Sequence, residues 1–390
     1  MRKDSVVIVS IARTPQGNLL GALKDFSAPE LGGIAIRAAL SRANLSPDAI
    51  QEVIMGCVLS AGLGQAPARQ AAHFAGIPAS VPCTTINKMC GSGMKAVMLA
   101  HDAILADTAD ILVAGGMESM SNAPYLIPKA RQGYRLGHAD ILDHMAYDGL
   151  EDAYDKGKPM GFFAEHCAAR YHFSREDQDQ FARESLLRAK KAAEENAFQD
   201  EIIPVTQKEN VIDRDEHPHS VNLEKIPKLQ PVFLKDGTIT AASSSSIADG
   251  AAALVLMRES DATRRHIQPL AKIIAHTTFA RAPGEFTIAP IDAIKKLLKK
   301  TGWTIDEVDL FEINEAFAVV AMAAMRELSI PHDKLNIYGG GLALGHPIGA
   351  TGARILVTLV SALKKNQLKK GIAALCIGGG EATAIAIECV

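Results

Sequence analysis

The sequence predicts a layered α/β protein made of two related halves, with a long insertion in the first. Three observations predict it. Strand and helix patterns alternate up to residue 119 and again from residue 245 to the end. Between them, residues 120–244 are rich in prolines, tyrosines and charges. Finally, a short apolar strand running into consecutive glycines occurs once in each half, in ADILVAGGMESMS and in KGIAALCIGGGEATAIAIE.

The elements follow in order. SVVIVSIARTP is a β-branched run ending in a turn signal, as expected of a buried strand. ELGGIAIRAALSRA carries apolar residues at Leu31, Ile34, Ala35, Ala38 and Ala39, and predicts a helix that Asn44 and Pro47 end. EVIMGCVLSA predicts a strand, GSGMKAVMLAHDAILAD a helix, and ADILVAGGMESMS a strand and then a glycine turn. Within the insertion, Ser174 followed by Asp177 starts a helix through SREDQDQFARESLLRAKKAAEENAF. Leu150, Phe162, Phe163 and Phe181 anchor it, which argues against a disordered linker. The second half begins near Gln268. It runs through the strand AKIIAHTTFA, the helix PIDAIKKLLKKTG, the strand DEVDLFEIN, the helix EAFAVVAMAAMREL and a final strand with a glycine turn. The expected units are therefore 1–119 with 245–267, 120–244, and 268–390.

The chain has 390 residues, 48% of them hydrophobic and 22% charged, ample for a large core. A net charge of −3 argues against nucleic acid and anionic membrane surfaces as partners. No stretch approaches the ~20 apolar residues of a membrane span. The run Val6 to Val9 is too short for a signal-peptide core, and the cysteines at 57, 83, 90, 167, 376 and 389 form no CxxC pair. Free thiols, no metal and a cytoplasmic location are the expectation.

Four segments carry chemistry. In TTINKMCGSGMKAVMLA, Cys90 precedes a helix, whose dipole is expected to lower the thiol's pKa. A buried structural cysteine explains the segment equally well. In YGGGLALGHPIGATGARIL, His346 stands on a glycine-rich turn where it could take a proton from a thiol. A phosphate-cradling loop is the rival reading, but the spacing fits neither common phosphate motif. In CIGGGEATA, Cys376 ends a strand at Gly378-Gly379-Gly380, whose N–H groups could hold an oxyanion. Asn314, in NEAF, is best explained alone as a helix N-cap. Together, two cysteines, a histidine and an asparagine at strand-to-helix turns suggest an acyl-transfer site. Cys57 and Cys83 read as core or strand-end residues.

The segments NKMCGSGMKAV, GGMESMSNAP, NEAFA, GGGLALGHPIGATGAR and CIGGGEATA resemble thiolase signatures, in the family's order and across the full chain. The resemblance implies a thiolase-like duplicated α/β/α core with an inserted loop domain that binds coenzyme A. It implies a Claisen condensation of two acetyl-CoA to acetoacetyl-CoA, run in reverse as thiolysis. Cys90 would hold the acyl group, His346 would activate it, and Cys376 would deprotonate the second acetyl-CoA. His346 with a water on Asn314 would form one oxyanion site, and the N–H groups of Cys90 and Gly378 the other. Coenzyme A contacts carry over to Leu150, Met160, Leu229, Phe233, Ala241, Ser245 and Phe317. Coenzyme A is a substrate, no cofactor is expected to be permanently bound, and a homodimer or homotetramer is expected.

Three positions depart from the family pattern. Pro159 replaces a histidine of many acetoacetyl-specific members, Ser243 replaces an asparagine, and HPHS, through Pro218 to Ser220, lacks an arginine. A broader degradative 3-ketoacyl-CoA thiolase is the alternative within the family. A ketoacyl synthase would carry His or Asn in place of Cys376. A cysteine hydrolase needs no second turn cysteine, and the intact set of four residues argues against a binding scaffold.

Overall fold

The computed structural model describes residues 4–390. Nine strands form one continuous path. Its order is Leu310–Ile313, Lys370–Ile377, Glu381–Cys389, Ala271–Ala280, Val6–Arg13, Ala248–Arg258, Ile111–Ser119, Glu52–Gly56 and Cys83–Ile86. The first two strands are parallel, as are the last three. All other neighbours are antiparallel. A parallel bridge from Phe311 to Leu335 extends the first edge. Counted from the junction at Val7–Lys272 and Ile8–Ala271, the two halves repeat the same strand order and sense. The duplication suspected from the sequence is thus present in the topology.

Period-two alternation sorts the strand residues into three apolar layers. Val6, Ile8, Leu112, Leu254 and Leu256 face a central layer, together with Ala373, Leu375, Ile385 and Ile387 from the other half. Val7, Val9, Val113, Val255 and Met257 face the outer helices Ala28–Arg42 and Pro67–Phe74. Ile372, Ala374, Ala384 and Ala386 face the helices Ala289–Thr301 and Ala318–Leu328. The central layer is the helix pair Ser92–Leu105 and Ile348–Lys365. The second of these is buried at every residue from Ile348 to Leu363, so both flanking sheets must cover it.

Glycines set how closely these layers approach. A Cβ on Gly93 would lie 2.8 Å from the backbone nitrogen of Ala353, and one on Gly352 would lie 2.4 Å from that of Met94. The two central helices therefore cross with their first turns in backbone contact. Gly115 and Gly116 correct the sequence reading. The strand Ile111–Ser119 runs straight through them, with no turn there. A Cβ on Gly116 would meet the Gly349 carbonyl at 2.1 Å, and one on Gly115 the Ala252 carbonyl at 2.1 Å. They are glycines for close approach, whereas Gly379 and Gly380 do turn the chain, both at φ +92°.

Between Ser119 and Ala248 the chain leaves the large sheet and forms the helices Met160–Tyr171 and Arg175–Glu194 with short hairpins. Ser174 caps the second helix in a reciprocal capping box with Asp177, as its spacing predicted. Phe163 and Phe181 are buried against the second half. A fully buried Arg13 ties the insertion to the first strand. Its guanidinium donates to Glu201 at 2.6 Å and to both Asp215 oxygens at 2.7 and 2.9 Å. Among the described residues, no helix is long and apolar enough to cross a membrane.

Candidate active site

Cys90 lies between the strand Cys83–Ile86 and the helix Ser92–Leu105. The turn before it is tight: Met89 sits at φ +47°, a costly conformation for a side-chain-bearing residue. Ser92 holds it there. Its hydroxyl accepts from the Lys88 N–H at 2.8 Å and donates to the Met89 carbonyl at 2.6 Å. Lys88 also pairs with Glu381, at the start of the strand that follows the Cys376 turn. One ion pair thus links the two cysteine turns.

His346 stands two residues before the second central helix. Its Nδ1 lies 2.6 Å from the Thr351 hydroxyl, and that hydroxyl donates to the Pro347 carbonyl at 2.9 Å. The single hydroxyl proton is thereby used, so Nδ1–H donates to Thr351 and Nε2 keeps its lone pair. The Asn314 amide nitrogen faces that Nε2 at 3.5 Å. Because the two central helices cross at Gly93 and Gly352, residues just before their first turns meet. This crossing is what puts Cys90 beside His346.

Asn314 is not the helix N-cap that its sequence context alone suggests. The helix starts at Ala318, and Asn314 lies buried between strand and helix, with Oδ1 unpartnered. The next residue, Glu315, accepts from Ser185 at 2.7 Å, Asn336 at 2.8 Å and the Leu342 N–H at 3.2 Å. It clamps the Asn314 loop onto the glycine loop that carries His346.

Cys90, His346, Cys376 and Gly378 line one cavity of about 510 Å³. Leu150, Met160, Phe233, Ser245 and Phe317 are also in its wall, with Pro159, Phe286 and Ile348. Leu229 is half-buried and Ala241 exposed, and neither lines it. Asn314 lies one layer behind, through His346. Two clefts of about 470 and 530 Å³ elsewhere hold no cysteine.

Burial dominates the electrostatics. It pushes the Cys90 thiol up to about 11, although the N–H groups of Gly378 and of Cys90 itself donate toward the sulfur and pull the other way. The lowered pKa expected from the helix dipole is not met, because removal from water outweighs it. Cys376 is raised well above the ordinary thiol range, first by burial and then by the nearby Cys90 sulfur. Burial, then Arg354, lowers His346 to about 3. The free site therefore rests as two neutral thiols and a neutral imidazole.

Glu118 went unnoticed in the sequence. Its buried carboxylate accepts from the N–H groups of Val58 at 3.0 Å, Leu59 at 3.1 Å and Gly349 at 2.8 Å. It pins the start of the His346 helix to the loop after the strand Glu52–Gly56. Burial raises its pKa to about 7 against those donors. Cys57 is buried in the outer core and Cys83 opens a strand, as read from the sequence.

Fold and cavity together define the class: an enzyme of duplicated α/β architecture, with two thiols and an imidazole gathered in one cavity. The family profile for the thiolase N-terminal domain matches residues 6–260, and that for the thiolase C-terminal domain matches residues 267–389. Acetyl-CoA acetyltransferase 2 of Arabidopsis thaliana is 49% identical, over 98% of this chain and 96% of its own. An acetyl-CoA acetyltransferase of Chromobacterium violaceum is 46% identical, over 98% and 99%. The Acat5 thiolase of Ascaris suum, solved with coenzyme A, superposes with a TM-score of 0.95 at 44% identity, covering 99% of this chain and 100% of that one. The chain belongs to the thiolase family.

Proposed function

We propose that the protein is an acetyl-CoA C-acetyltransferase that joins two acetyl-CoA into acetoacetyl-CoA through an acetyl group held on Cys90. The observation that carries this reading is the convergence of two thiols, a neutral imidazole and a backbone N–H donor in one apolar-walled cavity. A hydrolase would need one thiol, not two.

The steps follow from the resting state. The neutral His346 Nε2 takes the Cys90 proton as sulfur attacks the thioester, and coenzyme A leaves with a proton. A thiol near 11 is a poor nucleophile until deprotonated, so transfer to His346 and attack are coupled. Cys376 then passes its thiol proton to His346, neutral again once coenzyme A has left, and as thiolate removes a methyl proton from the second acetyl-CoA. The carbanion attacks acetyl-Cys90, forming the carbon–carbon bond and expelling the Cys90 thiolate, which takes back a proton from His346. Oxyanions would be held by the N–H groups of Cys90 and Gly378 in one step, and by His346 with a water on Asn314 in the other. The buried, unpartnered Asn314 Oδ1 suits such a water. Losing one such donor costs about 3 kcal/mol of barrier.

Coenzyme A would enter along residues 120–244, between 1–119 with 245–267 on one side and 268–390 on the other. Phe286, Phe233 and Phe317 pack edge to face in the cavity wall and favour a short acyl group. A homodimer or homotetramer in the cytoplasm completes the reading. Its support is the arm around Tyr125–Leu126, where Tyr125, Ile127, Leu136 and Ile141 are exposed, Leu136 fully.

Mass spectrometry after mixing with acetyl-CoA tests the roles. Wild type and Cys376→Ala are expected to carry one acetyl group on Cys90, and Cys90→Ser none. Cys376→Ala is expected to form no acetoacetyl-CoA. Equal loss of both steps in Cys376→Ala would overturn the division of labour. Preferred cleavage of long 3-ketoacyl-CoA over the four-carbon substrate would replace the acetyl-specific reading with the broader thiolase.

A further inference from the structure

Far from the cavity, a second cluster of ligating side chains joins the two halves of the molecule. His101 and Asp102 lie late in the helix Ser92–Leu105, and His276 lies in the strand Ala271–Ala280, the first of the second half. Their atoms converge. His276 Nε2 is 3.2 Å from His101 Nδ1 and 2.9 Å from Asp102 Oδ1, and His101 Nδ1 is 3.1 Å from the same Asp102 oxygen. Among the described residues, this is a three-ligand group of a kind that suits a metal ion.

Hydrogen bonds alone satisfy this triangle poorly. If both imidazoles donate to Asp102, two N–H groups face each other across 3.2 Å. If one imidazole accepts from the other, it cannot also donate to the carboxylate from the same nitrogen. A cation removes the conflict, because all three atoms then present lone pairs. The triangle also has the right size. A point equidistant from its corners lies about 1.8 Å from each in the plane, so a metal about 1 Å above the plane reaches all three at ~2.0–2.1 Å, the usual zinc–nitrogen and zinc–oxygen lengths. Both imidazole side chains are nearly buried, at 10% and 12% exposure, and the Asp102 side chain is 53% exposed, which leaves a fourth position open to water. Lys300 brings a positive charge to the edge of the site, where its ammonium donates to the His276 carbonyl at 3.2 Å.

We propose that His101, Asp102 and His276 form a zinc-type divalent-cation site that staples the central helix of the first half to the first strand of the second. Two imidazoles and one carboxylate at these distances select a borderline transition-metal ion over magnesium or calcium, which take oxygen ligands. The role is structural, since no group of the cavity takes part.

Crystals of the full-length protein soaked in zinc chloride, with anomalous differences collected on both sides of the zinc edge, test this directly. A peak within coordination distance of the three atoms is expected. Peaks confined to the Cys90–Cys376 cavity, or none, would overturn the proposal. In solution, zinc competition against a fluorescent chelator should show one fewer tight site in His276→Gln than in wild type. Lys300→Met should bind several-fold tighter, an effect that misfolding does not produce. Equal stoichiometry in wild type and His276→Gln would also overturn it, as would unchanged affinity in Lys300→Met.

Discussion

Replacing Gly352 with alanine would put a methyl carbon 2.4 Å from the Met94 backbone nitrogen and 2.8 Å from its Cβ. Ordinary contact begins near 3.5 Å, so the first turns of the two central helices must part by about 1 Å. The neighbour is backbone, so no side chain can swing aside. Alanine improves helix propensity by ~1 kcal/mol, while overpacking costs about 1–3 kcal/mol, so a net loss of about 0–2 kcal/mol is expected and the protein stays folded. Activity is far more exposed. Cys90 and His346 precede the two displaced turns, and a 1 Å misplacement of reacting groups costs about 10²-fold. Steady-state thiolysis of acetoacetyl-CoA, paired with urea unfolding, checks this. The expected result is kcat reduced by about two orders of magnitude in a folded protein. KM for coenzyme A is expected to change little, because much of the cavity wall belongs to other elements. A folded Gly352→Ala with kcat within about threefold of wild type would refute the claim that this crossing sets the catalytic geometry.

Two other outcomes follow from buried groups. Glu118→Ala leaves the N–H groups of Val58, Leu59 and Gly349 without their acceptor. At ~1–3 kcal/mol for each orphaned buried group, a loss of at least about 3 kcal/mol in urea unfolding is expected, with Glu118→Gln closer to wild type. His346 has a folded pKa of about 3, below its unfolded value of ~6.5. Its neutral form therefore contributes stability that is full above about 6.5 and is lost as pH falls toward 3. Comparing wild type with His346→Asn, the wild-type advantage should shrink steadily on acidification from pH 7 to 4; a pH-independent difference would count against a buried neutral imidazole.

The sequence by itself determined the alternation of strands and helices, the insertion, and three of the residues proposed to react. Cys90, His346 and Cys376 were legible because each is a chemically distinctive side chain beside glycines at a turn, and such local patterns survive in one dimension. The family resemblance singled out Gly378 within its triple-glycine turn and supplied the pairing of roles. The misreadings share a physical cause. A glycine that frees a turn and a glycine that lets a backbone approach look alike, since both record only a missing Cβ. Gly116 is explained by the Gly349 carbonyl, 233 positions away, and that neighbour exists only in the folded chain. Asn314 could cap a helix or face an imidazole, and only the packing of two loops clamped by Glu315 chose the second. The protonation of Cys90 is likewise a property of its surroundings. A helix dipole can be read from neighbouring residues, but desolvation depends on every layer stacked above the sulfur, and here desolvation is the larger effect. Long-range pairing decided the rest: the glycine crossing that joins two half-sites, the Glu118 anchor and the cross-half histidine cluster.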